Sequence, residues 1–464
     1  MSSWQPDLHG ADGPIYRAIA VDLGQAIADG RLPPGTRLPT QRDLAVRLGV
    51  SVQTVSQAYA EAERQGLVVG RVGRGTFVAD RRSDLEPRFI MDGRNEGVID
   101  LSINRPVYGE RHAERLRAEL AAFGSDERVI DAMLLCRPIA GLPGHREAGA
   151  AWVARRGLAI PPERILITNG AAHGLLVALA GVAEAGDLVV SEALTDHGII
   201  SAASLLGLRL EGLPIDDEGI VPEAFDAACR RERVAALCTT PSLTNPTVTL
   251  MSDQRRRAIA EVARHHGVWV IEDDVYGDLL ADGPPALAVH LQELTCYVTS
   301  FTKTVVSGLR TGDLVAPAPS LPRLVRRIRT TSWMATPLLA ALASRWIETG
   351  TAAELVDWQR DALRVRQRVV REALAGFEFR QHPTALHAWL DLPPPWRPEA
   401  FVAEARLKNV AITPAQPFLP EGAPVPPGIR ISVGAARSVA ELRAGLAVLV
   451  DLLERQPEPF YMPT

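Results

Sequence analysis

Lysine is nearly absent from this chain: of 50 basic residues in 464, only Lys303 and Lys408 are lysine, and the other 48 are arginine. Cysteine is also sparse. Cys136, Cys229, Cys238 and Cys296 are widely scattered with no Cys-x-x-Cys pair, which argues against a disulfide framework and against a zinc site. No apolar run approaches the length that crosses a bilayer, and the start, Met1-Ser2-Ser3-Trp4-Gln5-Pro6, lacks a basic stretch followed by an apolar one. The expectation is therefore a cytoplasmic protein with no membrane partner and no metal. A chain of this length with 47% apolar residues is expected to divide into two or three globular domains.

The scarcity of lysine makes Lys303 informative. A guanidinium stays protonated at any pH a protein survives, whereas a lysine amine in a desolvated site loses its proton and attacks a carbonyl. Arginine serves wherever charge alone is needed, so an amine kept in Ser300-Phe301-Thr302-Lys303-Thr304-Val305-Val306-Ser307-Gly308-Leu309-Arg310 points to imine formation. The plainer alternative is a residual surface cation, the reading given to Lys408.

Net charge does not by itself announce a nucleic-acid partner, being −5 overall. Residues 1–88 hold 11 arginines against 10 acids, a net of +1 that leaves −6 for the rest. The imbalance permits DNA binding by the N-terminal part without requiring it.

The pattern there is more specific. Ile15, Ala18, Ile19, Leu23 and Ile27 recur at helical spacing up to the stop at Asp29-Gly30; Thr40 caps a second helix, Gln41 to Leu48, ended by Gly49; Ser51 caps a third, Val52 to Gln65. Two helices joined by a tight glycine-containing turn form a helix-turn-helix, which offers the N-terminal residues of its second helix to the major groove. Leu67 to Gly70 and Thr76 to Ala79 read as a hairpin whose tip, Arg71-Val72-Gly73-Arg74-Gly75, suits a wing on the DNA backbone. A small helical bundle that binds another protein is the competing reading.

The segments Pro14-Ile15-Tyr16, Leu38-Pro39-Thr40-Gln41-Arg42-Asp43-Leu44-Ala45, Val50-Ser51-Val52-Gln53-Thr54-Val55 and Gly73-Arg74-Gly75-Thr76-Phe77-Val78 closely resemble the winged helix of the GntR family of bacterial regulators. That resemblance implies operator DNA as a partner. Arg42 would touch phosphate or base, Ser51, Gln53 and Thr54 would enter the groove, and Arg74 and Gly75 would bring the wing to the backbone. Gln53 and Gln57 stand where relatives often carry arginine; glutamine reads adenine bidentately, at the expense of nonspecific affinity. The expected organisation is a winged helix over 1–80, a polar aperiodic linker over 81–98 and a larger domain over 99–464.

In that larger region helices alternate with short apolar strands such as Ile165-Leu166-Ile167-Thr168, Leu188-Val189-Val190-Ser191, Val234 to Thr239 and Val268 to Glu272. Such alternation specifies an α/β fold with a mostly parallel sheet and ligands at the carboxyl ends of the strands. Five polar clusters sit at such ends. Thr168-Asn169-Gly170-Ala171-Ala172 opens a helix whose amides suit a phosphate. Asn245, extended before Pro246, suits a phenolic oxygen, though an Asn-Pro turn alone would look the same. Glu272-Asp273-Asp274-Val275-Tyr276 offers a carboxylate to a pyridine nitrogen, unless the acids are a solvated loop or a metal site. Ser300 and Arg310 flank Lys303 as a hydroxyl and a fork donor. Arg430, in Gly428-Ile429-Arg430-Ile431-Ser432, suits a ligand carboxylate, or else forms a surface salt bridge.

Together these residues resemble the fold-type I aminotransferases over roughly 98–455, including their small C-terminal α+β subdomain. Joined to a GntR winged helix they look like the MocR subfamily of transcriptional regulators. The resemblance implies pyridoxal 5'-phosphate (PLP), with Lys303 carrying the Schiff base, Asp273 on the ring nitrogen, and Asn245 and Tyr276 on the 3-hydroxyl. Ser300, Arg310 and the Ala171 and Ala172 amides would hold the phosphate, and Arg430 the carboxylate of an amino-acid ligand. It also implies a homodimer. Two departures stand out. Asp196 occupies the position of the aromatic that usually stacks on the ring, so that either His197 takes over the stacking or the ring is held less tightly; Cys136 falls where many relatives place a tyrosine that reaches the partner's phosphate. The expected function is a PLP-dependent DNA-binding transcriptional regulator whose operator affinity changes with an amine or amino-acid effector. Family effectors include PLP itself, γ-aminobutyrate, taurine and diamino acids. A working aminotransferase with a regulatory DNA-binding domain is the alternative, and turnover with amino donors and a keto acid discriminates the two.

Overall fold

The computed structural model describes residues 4–6, 14–29, 31–33, 35–64, 67–71, 75–78 and 97–455. The chain divides into two compact units, Met1–Ile90 and Met91–Thr464.

In the first unit, helices Ile15–Ala28, Gln41–Leu48 and Val52–Arg64 are followed by the hairpin strands Val68–Arg71 and Gly75–Val78. Local chemistry sets the boundaries. Thr40 Oγ1 accepts from the Asp43 amide at 3.2 Å, and Ser51 Oγ accepts from the Thr54 amide at 3.1 Å. Between these two caps Gly49 ends the Gln41–Leu48 helix at φ +66, a left-handed conformation that favours glycine. Ile19, Leu23, Leu44, Val55, Tyr59 and Val78 close the core under the helices. Tyr59 donates its hydroxyl to the Pro39 carbonyl at 2.9 Å, which ties the long helix to the turn before the short one. The expected wing residue Arg74, and the expected linker through residue 96, lie outside the described residues.

The second unit is built on a seven-stranded sheet in the order Ile165–Thr168, Gly312–Val315, Thr295–Ser300, Trp269–Asp273, Val234–Thr239, Leu188–Glu192, Arg209–Leu213. Gly312–Val315 pairs antiparallel with both its neighbours, and the remaining pairings are parallel. Sequence reading missed that reversed strand because four residues with one acid, Gly312-Asp313-Leu314-Val315, lack an apolar run. The central strands Val234–Thr239, Trp269–Asp273 and Thr295–Ser300 are almost wholly buried, as a sheet covered on both faces requires. A smaller antiparallel sheet, ordered Phe379–Arg380, His387–Asp391, Gly428–Ser432, Thr413–Pro414, lies nearer the C-terminus. Ile99–Asp100, the first strand of this unit, pairs in parallel with Val410–Ala411. No described helix is long and apolar enough to cross a membrane.

One buried acid lies apart from the strand ends. Asp313 on the reversed strand has no hydrogen-bond partner for Oδ2, and a Cβ at Gly149 would come within 2.7 Å of its Oδ1. Burial, reinforced by the charge of Asp278, pushes its carboxyl up to about 7. A raised acid favours the fold while protonated. Its contribution is complete below the ordinary carboxylate range and is lost as pH rises through about 7. The cofactor-free protein is therefore expected to lose stability between about pH 4 and pH 7, and Asp313→Asn to flatten that loss by up to a few kcal/mol. Urea denaturation at a series of pH values reads it; parallel curves for the two proteins would refute it.

Candidate functional site

The carboxyl ends of the parallel strands converge on one pocket. Lys303 lies three residues beyond Thr295–Ser300, and its Nζ donates to the main-chain carbonyl of Asn104 at 2.6 Å. Burial lowers the pKa of the amine, helped by Arg430 and Arg310 and opposed by Asp196 and Asp273. The amine therefore sits between two cations and two acids, the setting in which a lysine becomes a nucleophile.

The three consecutive acids have separate fates. Glu272 accepts from the Leu287 and Ala288 amides at 2.8 and 2.7 Å and lies 3.6 Å from Arg256. Asp274 pairs with Arg156 at 2.8 Å and accepts from the Tyr297 hydroxyl at 3.0 Å. Asp273 at the strand end forms no ion pair among the described residues and accepts only a long bond from the Val275 amide at 3.3 Å. Burial, with Asp196 nearby, pushes its carboxyl up to about 8. The acids are not a solvated loop, since all three are buried, and among the described residues no group of three or more acids, histidines and cysteines is placed to hold a metal ion.

Tyr276 OH accepts from Asn104 Nδ2 at 3.0 Å. The same nitrogen faces His387 Nδ1 at 3.1 Å, while His387 Nε2 faces the Thr244 carbonyl at 3.2 Å. On the other side of the pocket Asn245 is held at both ends: its Nδ2 donates to Asp196 at 2.6 Å, and its Oδ1 accepts from Arg430 at 2.9 Å. Arg430 also donates to the Ser102 carbonyl and to Thr413 Oγ1, and its guanidinium lies over the Phe418 ring at 4.9 Å. It is a buried fork, with its pKa lowered to about 10 by burial, so the surface-salt-bridge reading is set aside.

Asp196 caps the helix His197–Leu205 by accepting from the Gly198 amide at 2.7 Å. Burial acts to raise its carboxyl, but His197, Asn245, the Gly198 amide and Lys303 outweigh it and hold the group ionised. His197 is half-exposed, 3.7 Å from Asp196 and edge-on to Phe418 at 6.5 Å.

At the far end of the pocket, helix Ala171–Val182 starts from Gly170 at φ +81. A Cβ on Gly170 would lie 3.2 Å from Arg310 Nη2, so glycine is what lets this turn approach the guanidinium. Ser300 and Thr168 both align with Gly312 across the sheet, which brings the hydroxyl to the same corner as the Ala171 and Ala172 amides.

The residues selected from the second unit's sequence thus fall into one neighbourhood. Sequence reading missed Asn104, His387, Thr413 and Phe418. They come from the start of the unit and from the small sheet, far from Lys303 in sequence, and no local pattern around them signals a pocket. In the first unit, Arg42 and Gln53 are exposed and Thr54 is half-buried. Ser51 Oγ meets Thr54 Oγ1 at 2.8 Å as well as capping the helix. Gly75 has φ +107, and a Cβ there would lie 3.1 Å from Arg37 Nε.

These features fit pyridoxal phosphate on structural grounds. Asp273 is a buried acid that forms no ion pair among the described residues, as a group facing a ring N–H would; Lys303 is a buried amine; and the Gly170 turn with Arg310 and Ser300 makes an anion cradle.

Comparison with known proteins agrees. Residues 96–449 match the aminotransferase class I and II family, and residues 15–78 match the gntR family of bacterial regulatory proteins. The HTH-type transcriptional regulator YdeF of Bacillus subtilis is 29% identical over 97% of both chains. TauR of Rhodobacter capsulatus, also an HTH-type transcriptional regulator, is 27% identical over 88% of this chain and 90% of its own. Among solved structures, a kynurenine aminotransferase of Pyrococcus horikoshii superposes with TM-score 0.71 at 22% identity, covering 77% of this chain and 91% of its own. The α-aminoadipate aminotransferase LysN of Thermus thermophilus gives 0.68 at 24%, covering 77% and 94%. The chain belongs to the class I and II aminotransferase family, in the MocR arrangement of a GntR-type winged helix followed by a PLP-type aminotransferase domain.

Proposed function

We propose that this protein is a DNA-binding transcriptional regulator that senses an amine or amino acid through pyridoxal phosphate held at Lys303. The observation that carries the reading is the union, in one chain, of a winged helix with an exposed polar recognition-helix start and a pocket around a buried amine of lowered pKa. Bound there, the cofactor supplies an aldehyde that bonds reversibly to a primary amine and a ring whose visible absorption reports which amine holds it.

The protein's own groups divide the work. Asp273 holds a proton against the ring nitrogen. Tyr276 and Asn245 hydrogen-bond the phenolic oxygen: Tyr276 already accepts from Asn104, which leaves its own O–H to donate, and Asn245 keeps one N–H beyond the one given to Asp196. Ser300, Arg310 and the Ala171 and Ala172 amides hold the phosphate. Arg430 takes a ligand carboxylate, and His197 covers the ring edge beside Asp196. A homodimer fits the exposed apolar run Ile130, Met133, Leu134 and Leu135 next to Cys136, since unpaired apolar surface of this kind marks an association face. As a DNA-bound regulator it acts in the cytoplasm.

On the DNA side, Gln53 and Thr54 read bases while Arg42 contacts phosphate. Gln53→Ala is expected to weaken operator binding by about 1–3 kcal/mol and to relax sequence preference at one position. Arg42→Ala is expected to weaken all sequences alike and to reduce the slope of affinity against salt by about 1. Operator affinity measured over a salt series with single-base variants separates them, and equal salt slopes for both variants would count against the assignment. The reading as a whole is tested by selecting DNA fragments with the full chain and measuring affinity with and without PLP and candidate amines. An affinity indifferent to both, with efficient transamination, would favour the enzyme alternative.

A further inference from the structure

The first strand of the second unit, Ile99–Asp100, runs directly into the pocket. The Ile99 and Leu101 amides donate to the Asn409 and Ala411 carbonyls at 2.8 Å each, and the Leu101 carbonyl accepts from the Ser432 amide at 2.8 Å. The next two buried carbonyls are held by pocket cations: Ser102 O by Arg430, and Asn104 O by Lys303. Ser102 O has further donors in Thr413 Oγ1 at 3.1 Å and Ser432 Oγ at 3.4 Å. Asn104 O has Lys303 alone among the described residues.

The Asn104 side chain is fixed independently of ligand. The Thr244 carbonyl can only accept, so His387 carries its proton on Nε2, and its Nδ1 must accept from Asn104 Nδ2. Burial drops the His387 pKa to about 3, which keeps this tautomer through the physiological range. Asn104 Nδ2 spends its second hydrogen on Tyr276. Of the ties on this segment, the one to Lys303 is the one whose donor changes covalent state.

We propose that residues Ile99–Asn104 are the effector-sensing strap of this protein: the Asn104 carbonyl is bound by the Lys303 amine when that amine is free and released when the cofactor takes it. This rests on the proposed cofactor role of Lys303. A free lysine amine has two N–H groups to offer, and three when protonated. Once its nitrogen had formed the C=N bond to the cofactor's aldehyde carbon, with loss of water, it would keep at most one, and its charge and reach would no longer be free for Asn104 O. When a ligand amine R–NH2 replaces it, a new C=N bond forms to the ligand nitrogen and the old one breaks. The two hydrogens of the incoming nitrogen pass to Lys303, and nothing is oxidised or reduced. The freed amine then returns to Asn104 O. A buried carbonyl that loses its donor is destabilised enough to raise local opening on the order of tenfold. The strap is thus tight without cofactor, loosened by cofactor on Lys303, and tight again when a ligand amine holds the cofactor. It continues in sequence into the linker that leads to the winged helix.

Hydrogen–deuterium exchange of the full chain tests this at the Ile99–Asn104 amides, with the Trp269–Asp273 strand as reference. Three states are compared: no cofactor, pyridoxal phosphate, and pyridoxal phosphate plus methoxyamine, which takes the cofactor from lysine. Exchange is expected to be slow, about tenfold faster, and slow again. Lys303→Ala is expected to exchange fast in all three states, and Lys303→Arg slowly in all three. Equal exchange of the wild-type strap in the three states overturns the inference, and that comparison stands even if neither variant folds. Operator affinity measured on the same samples separates this inference from the regulatory reading. Exchange that cycles while affinity ignores methoxyamine upholds the strap and defeats the regulator; affinity that responds over a flat exchange profile does the reverse.

Discussion

Lys303→Ala is expected to abolish the visible absorption of the lysine-bound cofactor and every spectral response to added amines, while the cofactor-free protein keeps its DNA affinity. The substitution removes the one buried amine in the pocket, and Arg430, Arg310 and the acids around it cannot replace it, because guanidinium and carboxylate groups do not form a carbon–nitrogen bond to an aldehyde. Lys303→Arg separates charge from nucleophilicity: it preserves a cation near Asp196 and Asp273 and is expected to lose the band just as completely. Absorbance of the purified variants with added pyridoxal phosphate, followed by operator titration, gives both readouts. A surviving band in Lys303→Ala would remove Lys303 from the cofactor site. Loss of apo DNA binding together with the band would contradict the division of labour between the two units.

Asp273→Asn is expected to weaken cofactor binding by about thirtyfold or more, since removing one member of a buried charged pair costs at least about 2 kcal/mol. Its effect on the cofactor-free protein has the opposite sign. The Asp273 carboxyl is raised to about 8, mainly by burial, so at pH 7 it is largely protonated and asparagine imitates it. The stability contributed by the protonated form is lost as pH rises through about 8. Because the same carboxyl ionises above about pH 4 in the unfolded chain, the variant should match wild type in urea near pH 4 and exceed it increasingly up to about pH 8, while binding pyridoxal phosphate poorly throughout. Unchanged cofactor affinity would mean that Asp273 does not meet the ring.

Much of this protein was legible in its sequence, because the informative features were local. The caps Thr40 and Ser51 and the stop at Gly49 fix two helix boundaries of the winged helix through bonds within a few residues. The alternation of short apolar strands with helices gave the α/β sheet, because a strand buried on both faces must be apolar throughout. Lys303 stood out by composition alone.

What depended on the tertiary structure was the direction and company of each polar group. By residue type alone Glu272, Asp273 and Asp274 are three equivalent acids, told apart in the sequence only through the family resemblance. Only the packed sheet turns Glu272 to Arg256 and the Leu287 and Ala288 amides, and Asp274 to Arg156, leaving Asp273 with no ion pair among the described residues. The reversed strand Gly312–Val315 was invisible for the same reason as its acid: its pairing is set by neighbours far away in sequence. Asn104 and His387 enter the pocket from segments 199 and 84 residues distant from Lys303, and no spacing rule connects them. Sequence by itself determined which chemistries the chain holds, since residue type fixes what a side chain can do. Only folding decided which buried donors meet which acceptors, because a hydrogen bond depends on distance and direction that chain order does not encode.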